Sequence, residues 1–190
     1  MRIGLFFGSF NPIHHGHLII ANHIVNNDLV DQVWFVVSPL NPFKDSKDLI
    51  SEYIRLHLTS VAIEGMNKFR VVDVEFKLPK PSYTINTLEK LKDIYPEEEF
   101  SLIVGGDSYQ NIHRWREGSR ILTDYKILVY QRKGFDDSKM VRDKVAFIEA
   151  PLIEISSTEI RKMIKVGMNI RYYVPDSVVE EIDKSRLYRK

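Results

Sequence analysis

Short apolar runs alternate with stretches of helical period along nearly the whole chain. Residues 2–7 form an apolar run with the length of a buried strand. Leu18, Ala21, Ile24 and Val25 then recur at helical spacing. Residues 32–37 predict a second strand, followed by a proline-punctuated loop over 38–47. Residues 51–65 predict a helix with Ile54, Leu58, Val61 and Ala62 on one face, and residues 69–76 a strand. A helix over 84–94 stops near Pro96. Strands follow at 100–104, 125–130 and 144–149, then C-terminal helices at 158–166 and 176–185. Strands that alternate with helices imply right-handed crossovers and a mostly parallel sheet with helices on both faces. The expectation is an α/β, doubly wound, Rossmann-like fold in a single domain over residues 1–190. Ligands of such sheets sit beyond the carboxyl ends of the strands, where the strand order reverses.

Composition narrows the chemistry. The chain of 190 residues carries 27 Lys+Arg against 26 Asp+Glu, a formal net charge of +1. Such a balance gives no bulk attraction to nucleic acid or an anionic membrane, so a bound anion needs a local site. The basic residues Lys184, Arg186, Arg189 and Lys190 suit the end of the last helix. There is no cysteine, hence no disulfide, thiolate metal site or cysteine nucleophile. No run is long enough to span a bilayer, and the N-terminal apolar run breaks at Gly8, too early for a secretory leader. A cytoplasmic location is expected, with no membrane partner. The oligomeric state is left open, a homo-oligomer included.

The first strand leads into Gly8-Ser9-Phe10-Asn11-Pro12-Ile13-His14-His15-Gly16-His17. Glycine directly after a buried strand lets backbone approach a ligand. Pro12 fixes the loop, so the helix should begin near His14. Its first amides and dipole favour an anion. His14 and His17, three apart, face the same way, and Gly16 leaves room beside them. The loop lacks the Gly-Lys-Ser/Thr ending of a P-loop, and no carboxylate or cysteine supports zinc. His15, His23, His57 and His113 have no partner motif and are read as structural.

Near the far end, Ile155-Ser156-Ser157-Thr158-Glu159-Ile160-Arg161 opens a helix, and Ser156 to Glu159 has capping-box spacing. Ser157, Thr158, the helix amides and the fork of Arg161 also suit phosphate oxygens. The pair of segments resembles the HxGH and ISSTxIR motifs of the nucleotidyltransferase superfamily, which transfers AMP or CMP from a nucleoside triphosphate. Three further segments narrow the resemblance. Pro81-Ser82-Tyr83-Thr84 precedes a helix, Gly105-Gly106-Asp107-Ser108 follows a strand, and Trp115 comes shortly after. With Leu187-Tyr188-Arg189, they are similar to bacterial nicotinate-mononucleotide adenylyltransferases over essentially the whole chain. Read without that resemblance, Trp115 also suits the core, and Asp107 suits a helix N-cap with Gln110.

The resemblance implies AMP transfer from ATP to nicotinate mononucleotide, with pyrophosphate released in NAD biosynthesis. It places His14, His17, Arg161 and Lys44 at the reacting phosphates. Gly8, Ser9, Phe10, Gly16, Gly105, Asp107, Ile155, Ser156, Ser157 and Thr158 fall to ATP, and Tyr83, Thr84, Gly106 and Trp115 to the mononucleotide. Mg²⁺ is expected on the ATP phosphates, with no protein ligands. The chain departs from the family at Asn11, usually Asp, at Phe43, usually His, and at Arg116, often aromatic. The rival acceptors are nicotinamide mononucleotide and phosphopantetheine, and the rival from another class is a non-catalytic nucleotide-sensing module.

Overall fold

The computed structural model describes residues 1–40, 48–131 and 143–189. Six strands form one sheet: β1 (Arg2–Gly8), β2 (Gln32–Val37), β3 (Phe69–Val72), β4 (Glu99–Gly105), β5 (Lys126–Tyr130) and β6 (Val145–Ile148). Their spatial order is β3-β2-β1-β4-β5-β6, and every neighbouring pair is parallel. Phe6 lies opposite Phe35 on one side and Ile103 on the other, which places β1 at the centre. The order reverses between β1 and β4, so the crevice above these two strands is the expected ligand site.

Seven helices flank the sheet among the described residues: α1 (His15–Asn26), α2 (Glu52–Ala62), α3 (Thr84–Ile94), α4 (Gly106–Gln110), α5 (Gly118–Asp124), α6 (Ser157–Lys165) and α7 (Asp176–Lys184). Alternate strand residues feed two cores. Phe6, Phe35, Leu58, Ile160 and Val178 pack on one face, and Leu5, Trp34, Leu88, Leu102 and Ile121 on the other. A parallel sheet covered on both faces needs strands that are apolar throughout, which explains the unbroken run of Val33 to Val37. No helix among the described residues is long and apolar enough to cross a membrane.

Two expected elements are corrected. Residues 69–76 do not form one strand: β3 ends at Val72 and the chain turns into a 3-10 helix, Val74–Lys77. The Phe76 amide donates to the Asp73 carbonyl at 2.9 Å, a turn that carries Glu75 inward. The buried face of α2 is also rotated from the one the apolar residues suggested. Ile54 is 37% exposed, while Arg55, Leu58 and Thr59 are fully buried. Apolar identity misled there because two of the three buried positions are polar. The short helices α4 and α5 have too few turns to show a period.

Arg55 accounts for the rotation. Its Nε donates to the Ile50 carbonyl at 2.9 Å, Nη1 to Ser9 at 2.6 Å and Ser38 at 2.8 Å, and Nη2 to Pro39 at 3.0 Å. Burial pulls the Arg55 pKa below its ordinary value. Four carbonyls offset the loss of water around the guanidinium and tie together the loops after β1 and β2.

Two stability predictions follow from this packing. A lysine cannot reach four divergent carbonyls, so Arg55→Lys should destabilise the protein by about 2–4 kcal/mol in denaturant titration; an unchanged midpoint would refute the role. A Cβ built on Gly118 would lie 2.0 Å from the Ile112 carbonyl oxygen, a backbone atom with little room to yield. Gly118→Ala should cost about 1–3 kcal/mol, lowering Tm by roughly 3–10 °C in thermal unfolding.

Candidate active site

The loop between β1 and α1 is shaped by its aromatic and glycine residues. Phe10 adopts a left-handed φ of 44°. Its ring is buried and meets Phe6, Phe35 and His17 edge-on. A Cβ on Gly8 would stand 2.8 Å from that ring, so glycine there makes space for Phe10 as much as for a ligand. The Phe10 side chain therefore belongs to the core. Gly16 acts in the same way: a Cβ would press on the His14 ring at 3.0 Å. The room expected there for a ligand is taken up by imidazole.

His14 is the N-cap of α1, which begins at His15, beside the start expected near His14. The rings of His14 and His17 stack at 3.7 Å between centroids, and the His14 backbone N–H donates to His17 Nδ1 at 3.3 Å. Phe6 and Phe10 wall the His17 ring from behind. The spacing of three thus brings two imidazoles together on a rigid apolar support. The first-turn amides are fewer than expected, since the His15 N–H donates to the Tyr173 carbonyl at 2.9 Å. The first turn carries no acidic side chain, so nothing there repels an anion.

The start of α6 lies directly against this loop. Ser157 Oγ donates to the Pro12 carbonyl at 2.9 Å, and Arg161 Nη1 donates to the Asn11 carbonyl at 2.9 Å. Arg161 Nη2 is 3.5 Å from Thr158 Oγ1, and its buried Nε has no hydrogen-bond partner. Ser156 caps α6 by accepting from the Glu159 N–H at 3.2 Å, as the motif spacing required. Thr158 is exposed and Ile155 half-buried on the core. The start of α6 and the loop that leads into α1 are therefore bonded to one another, although residues 14 and 161 are far apart in sequence.

Asn11 is the junction of this arrangement. Its Nδ2 donates to the Asp48 carbonyl at 2.9 Å, and its Oδ1 accepts from the Tyr188 hydroxyl at 2.9 Å. An aspartate could not make the first of these bonds, which gives the departure at position 11 a physical reason. Burial pushes the Tyr188 phenol well above its usual pKa, against the opposing pull of Arg161 and Arg55, so it remains a donor. Lys165 binds Asp48 at 2.9 Å and, by that bond first, holds its carboxyl below the usual range.

On the other side of the crevice, Gly105 is the N-cap of α4 and Gly106 its first residue, both buried. Asp107 lies inside the first turn and is exposed, so it is not the N-cap that its spacing to Gln110 allowed. Tyr83 caps α3 by position, and Thr84 opens it. Trp115 is half-buried on the same core cluster as Tyr83, and the Arg116 guanidinium lies 4.9 Å above the Tyr83 ring. Segments 81–84 and 115–116 thus meet at the start of α3, and segment 105–108 stands at the carboxyl end of β4. Lys44, with the adjacent Asn41, Pro42 and Phe43, lies outside the described residues.

Sequence reasoning missed Arg55, Glu75 and the hydrogen-bonding role of Tyr188. Glu75 is 2% exposed, and burial pushes its carboxyl above the usual pKa. Ser82 Oγ donates to it at 2.7 Å and Thr87 Oγ1 at 2.9 Å. A charged residue within an apolar helical or strand pattern was the signal available for Arg55 and Glu75.

Comparison with known proteins agrees with this geometry. Residues 5–163 match the cytidylyltransferase-like family model. A protein of Flavobacterium psychrophilum named probable nicotinate-nucleotide adenylyltransferase is 48% identical over 193 residues, covering 100% of both chains. A protein of the same name from Bacteroides fragilis is 48% identical over 182 residues, covering 95% of this chain and 90% of its own. The nicotinic acid mononucleotide adenylyltransferase of Plasmodium falciparum, solved with NaAD, shares the fold at a TM-score of 0.82 and 22% identity, covering 98% of this chain and 97% of its own. The matched motifs, the bonded junction of α6 with the loop before α1 and the relatives matched over nearly their whole length agree, and the chain belongs to the nicotinate-nucleotide adenylyltransferases of the cytidylyltransferase-like family.

Proposed function

We infer that the protein transfers AMP from ATP to nicotinate mononucleotide, forming nicotinate adenine dinucleotide and pyrophosphate. The observation that carries this reading is the meeting of α1 and α6, held by the Ser157–Pro12 and Arg161–Asn11 bonds. Two adjoining helix N-termini with imidazole and guanidinium donors fit a polyphosphate better than any other small substrate.

The nucleophile in this reading is the 5′-phosphate of the mononucleotide. With a second pKa near ~6 it is already anionic at neutral pH, so no general base is needed. One of its oxygens attacks the α-phosphorus of ATP while the bond to the β-phosphate bridging oxygen breaks. The protein's work is alignment and stabilisation of charge on the phosphoryl oxygens. His14 and His17 donate to the α- and β-phosphates, and Arg161 with Ser157 and Thr158 holds the outer phosphates. Gly8 and Ser9 let the loop backbone approach the nucleotide, while Gly105 and Asp107 border its ribose. Mg²⁺ is read as a cation carried by the triphosphate, where it neutralises charge; the described residues hold no cluster of three or more His, Asp or Glu side chains that could cage it.

Acceptor choice rests on the 81–84 and 115–116 segments. The Tyr83 and Thr84 amides at the start of α3 favour a carboxylate over a neutral amide, and Trp115 offers a face to the pyridine ring. The first turn of α3 has no acidic residue to oppose that charge.

Two outcomes test the reading in a pyrophosphate-release assay. With ATP present, kcat/KM should be highest for nicotinate mononucleotide, lower for nicotinamide mononucleotide and negligible for phosphopantetheine; a preference for the last would overturn the assignment. His17→Ala should lower kcat by about 10²–10³ with the fold intact by circular dichroism. A near-normal rate would remove His17 from the reacting phosphates.

A further inference from the structure

Four stretches of chain meet at Asn11. Its Oδ1 accepts from the Tyr188 hydroxyl and its Nδ2 donates to the Asp48 carbonyl, each at 2.9 Å. Its own backbone carbonyl accepts from Arg161 Nη1, also at 2.9 Å. Lys165, one turn beyond Arg161 on α6, binds Asp48 Oδ1 at 2.9 Å, so the contacts that run from Asn11 through Asp48 and α6 close on themselves. Asn11 and Tyr188 are both buried, where loss of a partner leaves a polar atom unsatisfied. The Tyr188 ring belongs to the same core cluster as Val178 and Ile182 of α7. Its neighbours tie the chain end back onto that helix: the Leu187 N–H donates to the Ile182 carbonyl at 3.0 Å, and Arg189 binds Asp183 at 2.8 Å.

A phenylalanine would fill the core at position 188 without the cost of burying a hydroxyl. What the hydroxyl adds is direction. Among the described residues its hydrogen bond goes to Asn11 alone. An asparagine held at both its Oδ1 and its Nδ2 has no torsion left to turn, and the peptide carbonyl of the same residue then points one way. Arg161 donates to that carbonyl with Nη1, so the bond sets the plane in which the rest of its rigid fork lies. Resting on the reading of Arg161 as the holder of the outer phosphates, we propose that Tyr188 is a positioning residue that acts through Asn11 to aim the Arg161 guanidinium at the β- and γ-phosphates of ATP. Tyr188 touches neither substrate. Its effect is confined to the part of the reaction that leaves as pyrophosphate.

Tyr188→Phe is the selective probe, because it keeps the ring in the core and removes only the hydroxyl. Initial rates are measured for wild type, Tyr188→Phe, Asn11→Ala and the double variant, in both directions of the reaction, with Tm by thermal unfolding. In the forward direction Tyr188→Phe should lower kcat/KM for ATP by about three- to tenfold, the effect of one buried hydrogen bond. KM for nicotinate mononucleotide should stay within about twofold of wild type. In the reverse direction an oxygen of pyrophosphate attacks the adenylyl phosphorus of nicotinate adenine dinucleotide, and the mononucleotide leaves. There kcat/KM for pyrophosphate should fall by a similar factor, with KM for the dinucleotide within about twofold. Tm should drop by only about 2–4 °C. The double variant should lose little beyond Asn11→Ala, because the two act through one bond. A kcat/KM for ATP within about twofold of wild type would overturn the proposal. So would a matching rise in KM for the mononucleotide and the dinucleotide, the mark of general loosening, or multiplicative losses in the double variant. The wild-type rate on the same substrates tests the reaction itself, and the ratio of variant to wild type tests the positioning role.

Discussion

The buried guanidinium of Arg55 is the constraint from which the site follows. A cation removed from water must find acceptors, and here they are backbone carbonyls of Ser9, Ser38, Pro39 and Ile50. Those carbonyls belong to the segments that leave β1 and β2 and to the approach to α2. Each gives up conformational freedom to complete the set. The loop that carries His14 and His17 thus starts from an anchored point, and the imidazoles inherit that rigidity. An arginine suits the task because its planar fork presents several donors in fixed directions while staying charged.

From this anchor the site is built by convergence. The left-handed Phe10 turns the chain so that Asn11 and Pro12 expose carbonyls toward α6. Ser157 and Arg161 take those carbonyls, and α6 arrives with its N-terminus beside that of α1. The two imidazoles stack on one another, and that of His17 leans on Phe6 and Phe10. Positive potential is thereby concentrated from dipoles and a single guanidinium in a chain whose net charge is only +1. That explains how a nearly neutral protein can grip a polyanion.

The strand–helix alternation and both helix tips could be read from the chain because several local signals coincide there. Apolar runs, Gly8 after a strand, Pro12 before a helix and Ser156 at a cap all point the same way. The helix at residues 84–94 matched α3 for the same reason: Tyr95 and Pro96 stop a clear period. The 3-10 turn at Glu75 and the rotation of α2 were hidden, since both are set by partners distant in sequence. Glu75 needs Ser82 and Thr87, and Arg55 needs carbonyls that no side-chain pattern displays. Tyr188 was visible as part of a family ending, but its bond to Asn11 is a purely tertiary fact.

That bond joins positions 177 apart. A contact between such distant residues carries the entropy of closing nearly the whole chain into a loop. A chain with its sheet assembled but Tyr188 not yet seated would have an unfinished nucleotide loop. Substrate that binds only the finished loop would draw the population toward completion, in proportion to its concentration relative to its dissociation constant. Occupancy of the loop and seating of the chain's last residues are then two sides of one equilibrium.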